Sequence, residues 1–78
     1  MNTLVEIIGW IGVTLIVGAY ALSSFDIISV QSVAYAAMNI GGSIGIIIDA
    51  VKDKNYQPVD LNIIWLAIAV VNLVRIFV

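Results

Sequence analysis

The chain has 78 residues, of which 63% are hydrophobic and 10% charged, with a formal net charge of −2. Soluble domains are about 45–50% apolar and about 25% charged, so this composition, with a mean hydropathy of +1.17, excludes an ordinary water-soluble domain and points to the bilayer. Cysteine and histidine are absent, which excludes disulfides, thiol chemistry and the usual zinc or haem ligation.

Three apolar runs use up most of the length, each close to the roughly 17–25 residues a spanning helix needs. The first is predicted over Leu4–Leu22, with Glu6 near its start and no basic segment ahead of it, so a cleavable signal peptide is not expected. Ser23-Ser24-Phe25-Asp26 then breaks the run. Ser29 or Ser32 can cap the next helix, because a serine hydroxyl accepts a hydrogen bond from a free N–H of the first turn. The second run is predicted over Ser32–Ile48, between Gln31 and Asp49. A hydrophilic connector follows from Asp49 to Asp60, in which Pro58 should end any extension of the second helix and Asp60 should cap the third. The third run is predicted over Leu61–Val78, with Arg75 near its end. No run carries a continuous polar face of the kind a soluble core helix shows. The expected fold is therefore an all-α membrane protein, a single integral domain of residues 1–78 built as a three-helix transmembrane bundle. Trp10, Tyr56 and Trp65 are candidates for the aromatic belt, and Lys52 and Lys54 against Arg75 favour a cytoplasmic N-terminus by the positive-inside rule.

Two patterns inside the runs carry the functional reading. In the second helix Ala37, Gly41 and Gly45 repeat every four residues, a small-residue ridge that suits close helix packing and self-association. Gly9, Gly12 and Gly18 make the first helix similarly slim. In the third, Asn62, Trp65, Ala69 and Asn72 fall on one stripe, while Tyr35, Asn39, Gly42, Ser43 and Ile46 form another on the second helix. An unpaired amide in hydrocarbon costs on the order of several kcal/mol, so these asparagines must face a helix, a partner or a wet cavity. Amides with an indole suit a neutral, hydroxyl-rich or amphipathic solute. Asn62, Trp65, Asn39 and Asn72 are therefore the candidate substrate-binding residues. No carboxylate lies deep in a run, so a proton relay or ion-driven pump is not expected.

The order of Ile8-Gly9-Trp10 opening the first helix, Ile28-Ser29 before the second and Asn62 early in the third resembles the SemiSWEET half-transporters of the PQ-loop group. Those are bacterial three-helix proteins that dimerise around a sugar pathway. The resemblance covers about Val5 to Ile76 and lies closer still to small bacterial three-span proteins of no established function. Leu22-Ser23 stands where that family has its Pro-Gln pair, and Ser43 stands near its pocket tryptophan. It implies a homodimer in the bacterial inner membrane, a small neutral solute such as a sugar as cargo, Asn62 in the pocket, and an outward N-terminus, opposite to the lysine count.

The leading expectation is such a half-transporter. An alternative is an accessory or structural subunit that uses its small-residue ridges to dock on a larger membrane complex, and a lipid-binding scaffold is a third. An enzyme is not expected, because no nucleophile–base or carboxylate pair is in place. Asp49, Asp53 and Asp60 read as loop solubility and capping, so neither metal nor cofactor is expected, and nor is a nucleic-acid partner.

Overall fold

The computed structural model describes residues 3–78 and is helical almost throughout. α1 spans Thr3–Ser24, α2 Val33–Lys52 and α3 Tyr56–Phe77. With about 1.5 Å of rise per residue, helices of 22, 20 and 22 residues are about 30–33 Å long, which matches a hydrocarbon core of about 30 Å. All three are long and apolar enough to cross a membrane.

The helices end on backbone geometry rather than at proline. Asp26 turns left-handed at φ 60, which lets its N–H reach the Ser23 carbonyl at 3.1 Å and the Ile27 N–H reach that of Leu22 at 2.9 Å. Lys54 does the same after α2, at φ 55, with Lys54 N–H to Val51 O at 3.0 Å and Asn55 N–H to Ala50 O at 2.9 Å. Both are Schellman endings, which satisfy the last carbonyls of a helix and usually employ glycine at the left-handed position. Ser32 caps α2, accepting from the Tyr35 N–H at 3.1 Å. Two expectations are corrected here. α2 continues through Lys52 rather than stopping near Ile48. α3 opens at Tyr56 after Asn55, so Asp60 lies inside the helix and does not cap it. Pro58 sits in the first turn, where a missing N–H costs no intrahelical bond.

α2 is the middle element. It packs on α1 along one side and on α3 along the other, and among the described residues α1 and α3 do not meet. The chain is an elongated slab of 40 × 23 × 17 Å. What it buries is small: Ala19, Ala36, Ala50, Val59 and Ala69, with the polar Asn39, Ser43 and Asn62. The large side chains, including Trp10, Leu61, Ile64, Ile68 and Phe77, face outward. Lipid tails are as apolar as leucine, so burying large residues gains nothing there, whereas small residues let backbones approach and gain contact.

The backbones of α1 and α2 approach closely at their glycines. A Cβ added to Gly12 would lie 2.5 Å from the Gly42 carbonyl oxygen, and one added to Gly42 would lie 2.7 Å from that of Gly12. Gly45 joins the same seam, since its added Cβ would lie 2.8 Å from the Ile8 oxygen. The anticipated Ala37–Gly41–Gly45 ridge is thus divided. Gly45 is used inside the chain, paired in the seam with Gly42 rather than Gly41, while Ala37 and Gly41 are exposed. One residue along a helix is a 100° turn, which separates a position on the seam from its neighbour off it. At the end of this seam Lys52 Nζ lies 3.5 Å from Glu6, 3.6 Å from Asp49 and 3.5 Å from Asp53. Gly9 leaves the room Asp49 needs, for a Cβ there would lie 2.5 Å from Asp49 Oδ2.

Candidate functional site

The polar residues of α2 and α3 meet where a side chain bridges the two helices. Trp65 Nε1 donates to Asn39 Oδ1 at 2.8 Å, and Asn39 Nδ2 donates back to the Tyr35 carbonyl at 2.9 Å. The two bonds hold the amide in one orientation and aim the indole across the seam. Beside them a groove of about 440 Å³ runs along the α2–α3 junction, walled by Tyr35, Asn39, Trp65, Ile68, Asn72 and Arg75 among others. Asn39 is 4% exposed and Trp65 43% exposed, so the amide lies at the floor and the indole forms a rim.

The remaining asparagines separate. Asn72, half-buried, stands in the groove wall and donates to the Val30 carbonyl at 3.2 Å, which ties α3 to the connector between α1 and α2. Asn62 is buried but does not wall the groove, and its Nδ2 donates to Pro58 O at 2.8 Å on its own helix. Of the anticipated binding residues, the structure therefore gathers Asn39, Trp65 and Asn72 on one groove and puts Asn62 outside it. Ser43, one turn beyond Asn39, is wholly buried and its Oγ has no hydrogen-bond partner.

Arg75 escaped the sequence reading, in which it was only a border charge. Trp65, Ile68, Asn72 and Arg75 follow one another at steps of three, four and three, so a single helical stripe already contained it. Gln31 only flanks the second run in the sequence, yet in the fold it joins Asn72, Arg75 and Ile76 around a second hollow of about 440 Å³ at the end of the groove. No sequence period links Gln31 to α3. The antiparallel return of the chain brings them together.

These features define an all-α protein of three helices, each long and apolar enough to span a membrane, with one groove between the second and third that carries amide, indole and guanidinium groups. The chain belongs to a family of uncharacterised proteins, whose family model matches residues 5–78. Neither a curated protein nor a solved structure matches it.

Proposed function

We propose that the chain is half of a small-solute transporter of the inner membrane, in which two copies set their α2–α3 grooves face to face and enclose a polar passage for a neutral solute such as a sugar. The observation that carries this reading is the Trp65–Asn39 bond at the wall of the groove. It pre-sets an indole face and an amide side by side, a pairing that suits stacking and hydrogen bonding with a hydroxyl-rich molecule. Most of the groove wall is apolar, and a second copy covering it would remove its few amides from lipid. The resemblance of the sequence to the SemiSWEET half-transporters is a second support for this reading.

A structural role as an accessory subunit is the second reading, and one observation favours it. Asn39, Asn62 and Asn72 each direct an amide N–H to a backbone carbonyl of the same chain. Amides used in this way are satisfied within the chain without any solute, Asn39 and Asn62 on their own helices and Asn72 across to the α1–α2 connector.

Flux and assembly measured on the same proteoliposomes separate the two. Uptake of a panel of sugars and polyols is followed for the parent chain, Asn39→Ala and Trp65→Phe, beside dimer yield by crosslinking. The transporter reading expects uptake in the parent that falls in both variants while dimer yield holds. No uptake by the parent, together with loss of assembly in the variants, would end it in favour of the accessory role.

A further inference from the structure

The hollow at the end of the groove has a chemistry of its own. Gln31, Asn72, Arg75 and Ile76 surround it, so two amides and a guanidinium converge beside one aliphatic side chain. Arg75 has no ion pair among the described residues, as the salt bridges found there all belong to Lys52. The distribution of acids explains why. Glu6, Asp49, Asp53 and Asp60 lie toward the end of the slab that carries the connector between α2 and α3. Asp26 shares the end that carries Arg75 but does not pair with the guanidinium. One end of the molecule thus has two lysines, Lys52 among the carboxylates and Lys54 unpaired beside it, while the other end has a single cation, Arg75, unpaired in the last turn of α3 and set beside two amides.

We infer that this hollow seats the phosphate of an anionic membrane lipid, with Arg75 as the charged anchor and Asn72 and Gln31 as amide donors. The position fits: a residue in the last turn of a helix about 33 Å long stands where the hydrocarbon gives way to headgroups. The chemistry fits as well, because a guanidinium offers a planar fork of donors that matches phosphate oxygens two at a time. One Asn72 N–H is engaged by Val30 O, which holds the side chain in place and leaves the second N–H of that amide to donate. Ile76 supplies apolar wall on which the glyceryl end of an acyl chain can lie. Asn72 and Arg75 wall both this hollow and the long groove, so a bound headgroup stands at the mouth of the groove. The inference goes beyond the transport reading and does not depend on it.

The test is lipid retention by the intact chain. Protein reconstituted in nanodiscs of equal phosphatidylglycerol and phosphatidylcholine is extracted into mild detergent, and retained lipid is counted by native mass spectrometry. The expected result is selective retention of phosphatidylglycerol, lowered about tenfold in Arg75→Gln, the loss of one charge-assisted contact, and lowered less in Arg75→Lys, which keeps the charge without the fork. Lys54→Gln, at the opposite end, should leave retention unchanged, and circular dichroism checks that each variant keeps its helices. Equal retention of the two lipids, or an equal fall in Lys54→Gln, overturns the inference in favour of general charge attraction. Release of the lipid by millimolar inorganic phosphate overturns it in favour of a site for the free anion. Absent sugar flux with selective lipid retention would remove the transport reading and leave this one standing.

Discussion

Gly12→Ala probes the seam on which the fold depends. The added methyl would lie 2.5 Å from the Gly42 carbonyl oxygen, 3.0 Å from Ile46 N and 3.2 Å from Ile46 Cγ1. The first two are backbone atoms that cannot swing aside. Because non-bonded atoms settle near about 3.5 Å, α1 and α2 must part by about 1 Å to admit it. Overpacking of this kind costs about 1–3 kcal/mol. The helix propensity of alanine does not offset that loss, since in a bilayer the separated helices remain helical and the comparison is between two helical states. Gly41→Ala is the matched control. Its methyl would meet only Leu15 Cδ1, at 3.6 Å, so stability should stay within about 0.5 kcal/mol of the parent. Unfolding by added SDS in bicelles, followed by the fluorescence of Trp10 and Trp65 at dilutions where the chain is monomeric, reads both. Equal losses in the two variants, or no loss in Gly12→Ala, would refute the argument that Gly42 and Gly45, and not Gly41, form the intrachain contact.

Asn62→Ala should leave solute flux at the parent level while Asn39→Ala lowers it, because Asn62 bonds within its own helix and stands clear of the groove; loss of flux with normal folding would return Asn62 to the pocket. Ser43→Ala should raise stability by up to about 1–3 kcal/mol, the penalty of a buried polar group without a partner, and a fall in the same SDS titration would show that the hydroxyl is in use. Lys54→Gly should stabilise the end of α2 by about 1 kcal/mol, the approximate strain of a side chain held left-handed at φ 55, and an unchanged SDS midpoint would contradict that. Lys52→Gln should weaken the α1–α2 end slightly at low salt, with the difference shrinking as ionic strength rises, since Glu6, Asp49 and Asp53 are all partly exposed; a loss insensitive to salt would point to packing of the lysine stem instead.

The helices were legible because the bilayer demands a nearly unbroken apolar run, and such runs stand out in a short chain. Their ends were less legible. Asp26 and Lys54 take a conformation usually given to glycine, and no turn residue announces it. Pro58 looked like a stop, but the first turn of a helix has N–H groups to spare, so proline there opens α3 instead of preceding it. The seam was half legible for a similar reason. Both Gly41 and Gly42 are small, and a four-residue rule selected Gly41, yet the choice between adjacent residues belongs to the partner helix. Gly9 and Gly12 of α1 select Gly42, Gly45 and Asp49.

The candidate site shows the same limit at the level of chemistry. Asn39, Trp65 and Asn72 could be picked out one by one, because each is out of place in a lipid-soluble run, but their roles depend on what each amide has already bonded. Asn39 accepts from an indole on another helix, whereas Asn62 donates to a carbonyl four residues back on its own. From composition the two residues are alike; in the fold one couples two helices beside an open groove and the other is spent locally. Arg75 makes the complementary case. A cation near the end of an apolar run looks like a boundary marker, and it becomes a candidate ligand only when the fold brings Gln31 and Asn72 beside it and keeps every carboxylate out of pairing range. In a chain with so few polar groups, chemistry is set less by which residues are present than by which of them the packing leaves unpaired.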